Sequence, residues 1–192
     1  MPGASDSSGA DSSDAELTRL ALAGREDGYR RLLERHRDPV FRLVRSLVRD
    51  NDAALDITQE AFVSGFVALR RYDPERPFQA WMSRIAINKA RDWARRRNVR
   101  AFFTRAVGLD EAYAVAGDDP LQDATTEHRD ELARVMKAIA SLPHKLREVL
   151  VLRTIEHLSE AEAASLLGIS AKAVETRLYR ARRVLDEILV RI

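Results

Sequence analysis

Cysteine is absent from this chain of 192 residues, which excludes disulfide bonds, thiolate zinc sites and cysteine nucleophiles. Long apolar runs are absent too, since none approaches the roughly 18–20 residues of a membrane-spanning helix. Residues 1–14 are rich in Ser, Asp and Gly and lack the basic and apolar regions of a secretion signal. We therefore expect a cytoplasmic protein that does not insert directly into membranes.

Glycine and proline are scarce, at eight and six residues, and the composition favours helices over sheets. Apolar residues form 45% of the chain, which is enough for a packed core. The 32 basic and 30 acidic residues leave a net charge of only +2. Nearly all of the basic residues are arginine, which suits contacts with phosphates and base edges, but a GC-rich genome produces the same bias.

Apolar residues follow helical spacing in two stretches, residues 15–100 and 127–192. Between them, residues 101–126 lose this period, and acids outnumber basic residues eight to one over residues 106–131. Residues 1–14 predict a disordered tail. The sequence thus predicts an all-α fold, in which two small helical domains are joined by an acidic, flexible linker at 101–126.

Three local features of the first domain carry structural predictions. Pro39 interrupts a helical stretch, and we expect it to begin a new helix or to kink one. Asp52 is suited to cap the helix that follows. After the two-proline break at residues 72–77, a further helix is expected from about Phe78 to Arg97.

The strongest local signal is a helix-turn-helix pattern over residues 158–177. Ser159 and Glu162 have the spacing of a capping box at the start of a short helix. Gly168 then supplies the positive φ of a turn, and Ser170 caps a second helix. Such a second helix enters the major groove of DNA, and its outer face would carry Lys172, Glu175, Thr176, Tyr179, Arg180 and Arg183. A generic helical hairpin with a solvated basic face is the alternative interpretation.

A basic and aromatic stretch precedes the linker. Eight basic residues lie between Met82 and Arg105, where Asp92 is the only acid. Aromatic side chains beside a basic surface suit single-stranded nucleic acid, because stacking contributes about 1–3 kcal/mol per base. Asn88 has an amide able to read a base edge. The alternative is that Trp81 and Trp93 belong mainly to the core and that the arginines form a solvated helix end.

Three segments resemble, in order, parts of a known family. Residues 56–62 read D-x-x-Q-E-x-F and are similar to sigma region 2.2. Residues 71–88 are similar to regions 2.3 and 2.4, and residues 141–185 are similar to region 4.2. Their order, with a linker too short for a region 3 domain, resembles the extracytoplasmic-function (ECF) subgroup of the sigma-70 family.

This resemblance implies that the chain binds core RNA polymerase, at the β′ clamp helices and the β subunit, and directs it to promoter DNA. The polymerase-binding residues would be Asp56, Gln59, Glu60 and Phe62. The residues that contact the −10 element would be Phe78, Trp81, Arg84, Asn88, Lys89, Arg95 and Arg96, with Asn88 in the pocket that receives a flipped base and the aromatic residues mainly in support. Control by an anti-sigma factor is also implied.

The resemblance further implies that the second helix of the helix-turn-helix reads the −35 element as duplex. Arg177, Arg180 and Arg183 would contribute most, while Lys172 and Thr176 contact phosphates. Glu175 departs from the family pattern, in which a basic residue is common. Either Glu175 accepts a hydrogen bond from cytosine N4 or it orients a neighbouring arginine.

Two other classes of protein compete with this interpretation. A helix-turn-helix regulator that does not bind polymerase would share the C-terminal pattern, and it would normally be a dimer. An enzyme is disfavoured, because the four histidines are scattered and no metal-binding, phosphate-binding or nucleophile motif is present. We therefore expect no catalytic residues, no metal site and no cofactor.

Overall fold

A computed structural model describes residues 12–48, 50–106 and 126–190. Its helices are α1 (Asp14–Leu22), α2 (Glu26–Val48), α3 (Asn51–Val67), α4 (Phe78–Ala106), α5 (Thr126–Ser141), α6 (His144–Leu150), α7 (Glu160–Leu167) and α8 (Ala171–Val190). A short 3-10 turn at Leu69–Arg71 follows α3, and a π-helical segment at Val151–Ile155 continues α6. These ranges contain no strand, so the all-α prediction is confirmed.

The first helix begins inside the segment predicted as a tail. The Ser13 hydroxyl accepts a hydrogen bond from the backbone N–H of Glu16 at 3.2 Å and caps α1. Asp14 is already helical, and its carboxylate pairs with Arg35 of α2 at 2.8 Å. The rest of the predicted tail, residues 1–11, lies outside the described residues.

Two predictions about helix boundaries in the first domain need correction. Pro39 does not begin a new helix, because α2 continues through it, and the buried Val40 that follows packs in the core; the alternative, a kink at Pro39, stays a prediction. The N-cap of α3 is Asp50 rather than Asp52, since Asp50 Oδ1 accepts from the backbone N–H of Ala53 at 2.9 Å. Asp52 lies in the first turn, where a negative charge also favours the helix N-terminus.

The linker is shorter than predicted. Helix α4 extends to Ala106, nine residues beyond the expected end at Arg97, and α5 begins at Thr126. Residues 107–125, the remainder of the predicted linker, lie outside the described residues. No helix in the described ranges has the combined length and apolar character needed to cross a membrane.

The two halves share one apolar core. Buried Leu47 and Met82 of the N-terminal half belong to the same cluster as Leu152, Ala163 and Val174 of the C-terminal half. A second, smaller cluster around Leu142, Leu150 and Ala181 holds α5, α6 and α8 together. The two predicted domains are therefore packed directly against each other.

Candidate protein and nucleic-acid interfaces

The outer face of α3 is polar and exposed, with apolar side chains beside it. Asp56, Gln59 and Glu60 all face solvent. Val63 and Val67, at 65% and 84% exposure, extend the same face by one and two turns. A face that exposes large apolar side chains next to carboxylates is typical of a protein-binding surface.

Phe62 occupies a different position from its polar neighbours. Its side chain is 3% exposed, and its ring packs against Phe66, with the centroids 5.7 Å apart. A ring buried this deeply packs in the core beneath α3 and holds that helix in place. It offers no surface to a partner in this structure, so the direct polymerase contact expected of Phe62 does not fit its burial.

A groove of about 300 Å³ separates the α3 face from α4. Acidic side chains of α3 and its N-cap line one wall, while Lys89, Trp93 and Arg96 of α4 line the other. The Arg97 guanidinium lies 5.2 Å from the centroid of the Trp93 ring, a distance suited to a cation–π contact. Lys89 and Arg96, two of the predicted −10 residues, therefore border the predicted polymerase surface.

Three other predicted −10 residues, Arg84, Asn88 and Arg95, form a stripe along α4 together with Arg91, which was not among the predicted contacts. Arg84, Asn88, Arg91 and Arg95 are spaced by four, three and four residues, which places them on one helix face. The Asn88 amide is exposed, and its Oδ1 accepts a hydrogen bond from Arg91 Nη1 at 3.4 Å. Arg95 Nη2 donates to Asp92 at 2.7 Å. The only acid of this stretch is thus paired with a neighbouring arginine.

Phe78 and Trp81 belong to an aromatic cluster at the start of α4. Phe78 is 0% exposed, and its ring lies 5.5 Å from that of Trp81 and 5.3 Å from that of Tyr72. Tyr72 closes the preceding loop by donating its hydroxyl to the carbonyl of Arg76 at 2.6 Å. Burial, together with Asp14 and Asp73, raises the pKa of Tyr72. Phe78 therefore supports the loop, whereas the half-buried Trp81 keeps part of its ring accessible.

A buried histidine lies below this cluster. The His36 ring is 4.9 Å from that of Phe78. Its Nε2 lies 3.0 Å from Asp14 Oδ2, and its Nδ1 lies 2.9 Å from Gln79 Oε1. This network connects α1, α2 and α4. Sequence reasoning did not find it, because its members are far apart along the chain and match no motif.

The helix-turn-helix has the predicted local geometry. Ser159 and Glu162 form a reciprocal capping box, with bonds of 3.2 and 2.7 Å. Gly168 has a φ of +66° at the turn. The Ser170 hydroxyl accepts from Ala173 N–H at 3.2 Å, and Val174 is buried against α7 and the core. The cap, the turn and the anchor predicted from the sequence are confirmed.

The outer face of α8 carries the predicted −35 residues. Lys172, Glu175, Thr176, Tyr179, Arg180 and Arg183 are exposed, and Arg177 is half-buried. Lys172 Nζ donates to Glu175 Oε2 at 2.7 Å, and this hydrogen bond raises the pKa of Lys172. Glu175 is thus paired with a lysine, and not with the neighbouring arginine that was one of its two predicted roles. Within the described residues, no three acidic or histidine side chains meet as metal ligands.

Comparison with known proteins identifies the family. Residues 32–100 match sigma-70 region 2, and residues 132–185 match sigma-70 region 4. The chain is 39% identical over 179 residues to the RNA polymerase sigma factor CnrH of Cupriavidus metallidurans, which covers 92% of this chain and 94% of CnrH. It is 28% identical over 170 residues to the ECF RNA polymerase sigma factor SigW of Bacillus subtilis, covering 86% and 91% of the two chains.

A solved structure agrees with these matches. CnrH in complex with the cytosolic domain of CnrY has a TM-score of 0.64 and 33% identity to this chain, and covers 92% of this chain and 96% of that one. The matched segments follow the order of the three motifs, and they coincide with the exposed α3 face, the cationic α4 and the helix-turn-helix. The chain belongs to the ECF subgroup of the sigma-70 family of RNA polymerase sigma factors.

Proposed function

We propose that this sigma factor binds core RNA polymerase through the exposed face of α3, reads the −10 element with α4 and reads the −35 element with α8. One observation carries the proposal: a polar and apolar protein-binding face adjoins a cationic helix, in a chain that also presents a complete helix-turn-helix. A promoter-directing subunit needs these three surfaces together. The function assigns the chain no catalytic step, and it belongs in the cytoplasm, where polymerase meets promoter DNA.

The proposed polymerase contact consists of Asp56, Gln59 and Glu60. Their exposure leaves them available to hydrogen-bond donors on the β′ clamp helices, and Val63 and Val67 add apolar area beside them. Phe62 is assigned a supporting role, because its ring packs beneath this face. Interfaces combine buried apolar anchors with a polar rim, which is the arrangement found on α3.

The proposed −10 contact consists of the exposed stripe on α4. Asn88 would read the flipped base, since its amide offers both a donor and an acceptor. Arg84, Lys89, Arg95 and Arg96 would neutralise phosphates of the separated strand. Phe78 and Trp81 would shape the pocket.

The proposed −35 contact uses α8. Arg177, Arg180 and Arg183 are spaced by three residues, so they follow one side of the helix along the major groove. Lys172 and Thr176 would contact phosphates near the helix N-terminus. Tyr179, at 68% exposure, would add a contact to the same groove. Because Glu175 already pairs with Lys172, it would position that lysine instead of reading cytosine.

Control by an anti-sigma factor is part of the proposal. The solved CnrH structure contains the cytosolic domain of CnrY, and this chain is similar to CnrH over nearly its whole length. Exposed Leu55, Val63 and Val67 give an inhibitor apolar side chains to cover on the polymerase face. An inhibitor bound there would exclude polymerase by direct competition.

The test is co-elution of the purified chain with core RNA polymerase in gel filtration. A one-to-one complex is expected, and the double variant Asp56→Ala, Gln59→Ala is expected to lose it. The matched control is Glu34→Ala, Asp38→Ala, which changes two exposed polar residues of α2 and is expected to keep the complex. Failure of the folded wild-type chain to co-elute, together with a dimer in sedimentation, would favour a regulator that does not bind polymerase.

A further inference from the structure

A buried carboxylate lies at the contact between the two halves of the molecule. Glu148, in α6, is 1% exposed. Its two oxygens accept hydrogen bonds from Nε and Nη2 of Arg91, in α4, at 2.5 and 3.0 Å. Nδ1 of His144, one turn earlier in α6, lies 3.2 Å from Glu148 Oε1. This two-point geometry is the one in which arginine binds either a carboxylate or a phosphate.

Arg147 makes a second polar link across the same contact. Its guanidinium donates to the carbonyl of Leu47, in the last turn of α2, at 3.0 Å. It also donates to the carbonyls of Ile139 and Leu142 at the end of α5, at 3.2 and 3.0 Å. Carbonyls at helix C-termini lack donors within the helix. Arg147 therefore satisfies backbone groups of both halves, while the Glu148–Arg91 pair joins them through two oppositely charged side chains in direct hydrogen-bond contact.

The partner of Glu148 lies within the cationic stripe of α4. Arg91 occupies the same helix face as Arg84 and Asn88. Arg84 reaches the turn of the helix-turn-helix, since a Cβ on Gly168 would lie 4.0 Å from its Nη2. Asn88 accepts a hydrogen bond from Arg91 itself. The C-terminal half thus lies against the face of α4 that the proposed function assigns to the −10 element.

We propose that Glu148 and Arg91, assisted by His144, form a latch that holds the two halves together in the free protein and keeps the −10 face of α4 covered. The masking role rests on the proposed function of α4. The Glu148 carboxylate accepts the hydrogen bonds of the Arg91 guanidinium that a DNA backbone phosphate would otherwise accept. The latch and DNA therefore compete for the same guanidinium. Removing Arg91 leaves the buried Glu148 carboxylate without its two-point partner, and removing Glu148 takes away the bond that holds the partly exposed Arg91 against α6. Either change shifts the chain towards an open state in which water solvates the remaining charge.

The test measures the distance between the halves in the free chain. Because the sequence has no cysteine, Glu34→Cys in α2 and Ser165→Cys in α7 place two spin labels at exposed sites. Four versions of this labelled chain are compared by pulsed electron resonance: unchanged, Arg91→Glu, Glu148→Arg, and both charge substitutions together. Asp186→Asn, an exposed acid of α8, is the control, and circular dichroism checks that every version keeps its helices.

The latch predicts a short, narrow distance distribution for the unchanged chain and the control. Each single substitution is expected to lower the closed-to-open ratio by at least about tenfold. The double substitution is expected to restore much of the short distance, because it rebuilds the pair in reverse. Single variants that keep the short distance, or a double variant that stays as open as the single ones, would overturn the proposal.

Rescue by the double variant separates a latch from a local folding effect. A substitution that only damages the C-terminal half cannot be repaired by a change at Arg91 in the other half. The measurement uses neither polymerase nor DNA, so its failure leaves the proposed function standing. Conversely, if the wild-type chain did not co-elute with polymerase, the distance measurement could still support the latch. Only the proposed masking of the −10 face would then be lost.

Discussion

Nζ of Lys89 lies 3.6 Å from Oε2 of Glu60, across the groove between α3 and α4. The pair joins two surfaces with different proposed partners, since Glu60 is assigned to polymerase and Lys89 to −10 DNA. Both side chains are partly exposed, and such pairs contribute about 0–1 kcal/mol to stability. The pair therefore matters less for folding than for the availability of its two members to their partners.

Glu60→Gln is expected to weaken binding to core polymerase while leaving the fold unchanged. Loss of an exposed ion pair changes the melting temperature by no more than about 4 °C in a chain of this size. The affinity for core polymerase is expected to fall about fivefold or more, because a charge-assisted contact is lost. Fluorescence anisotropy with labelled chain measures the affinity. Glu34→Gln serves as the control, and equal affinities for the two variants would contradict the assignment of Glu60.

Asn88→Ala is expected to slow open-complex formation without weakening the binding of polymerase. The exposed amide is proposed to read the flipped base, and alanine offers neither donor nor acceptor. Permanganate footprinting of the melted strand measures opening. Asn98→Ala, an exposed asparagine of the same helix ten residues further on, is the matched control. If polymerase binding fell along with opening, Asn88 would have a structural role.

Arg180→Ala is expected to weaken binding of the chain's −35 duplex by about 1–3 kcal/mol, or roughly 5- to 150-fold. The loss should be much smaller on a scrambled duplex if Arg180 reads a base. Arg182→Ala is the control, because two residues along a helix turn the side chain to the opposite side. Equal losses on both duplexes would make Arg180 a phosphate contact.

Gly28→Ala is expected to destabilise the fold by about 1–3 kcal/mol. A Cβ there would lie 2.5 Å from the backbone nitrogen of Ala21 and 2.8 Å from the carbonyl oxygen of Leu17. Backbone atoms cannot turn away, so α1 would have to separate from α2. Gly24 is the comparison: it has space for a Cβ but a φ of +80°, and alanine there costs only the left-handed strain of about 1–2 kcal/mol.

Thermal unfolding measures the stability of both variants. The melting temperature is expected to fall by about 2–4 °C for each kcal/mol of unfolding free energy that is lost. The Gly28 variant should also disturb the contact between Asp14 and His36, which depends on α1 lying against α2. A change in the histidine imidazole resonances in that variant alone would support this. A Gly28 variant as stable as the unchanged chain would contradict the close approach of the two helices.

The proposed latch predicts a pH dependence. Burial raises the pKa of Glu148, but hydrogen bonds from His144 and Arg91 outweigh it and hold this pKa below its usual value of 4.5. The closed state therefore binds fewer protons than the open state. Its stability is fully present above pH 4.5 and is lost as the pH falls through the lowered pKa.

The labelled chain should accordingly open as the pH is lowered below about 4.5, with its helices intact by circular dichroism. Glu156 titrates nearby in the opposite sense, because burial raises its pKa although Arg42 and His157 oppose the shift. Comparison with Glu148→Gln removes this contribution, since both chains retain Glu156. Parallel pH profiles for wild type and Glu148→Gln would contradict the assignment to Glu148.

The helix-turn-helix was predictable from the sequence because its determinants are local. The capping box of Ser159 and Glu162, the turn at Gly168 and the cap at Ser170 each act within four residues. Backbone preference and side-chain capping need no distant partner. The exposure of Asp56, Gln59 and Glu60 likewise follows from helical spacing opposite buried positions.

Helix boundaries were less predictable, since neighbouring contacts outweigh local preference. A new helix at Pro39 was one of two expectations, yet α2 runs through Pro39, with buried side chains on both sides of the proline. Packing of an amphipathic face contributes more to helix stability than propensity does. Helix α4 also continues past Arg97, but Asn98, Val99 and Arg100 are exposed, so packing does not account for that extension.

The contact between the halves depends on tertiary structure alone. Glu148 interrupts the apolar period of α6, and a charged residue at such a position is the one sequence signal that could have marked it. Its partner Arg91 is 57 residues earlier in the chain, and no local pattern relates positions so far apart. Sequence determined the helical fold class, the caps and turn of the helix-turn-helix, and the family. Tertiary packing determined that a carboxylate of one half meets an arginine of the other, because packing buries Glu148 and a buried carboxylate needs a charged partner.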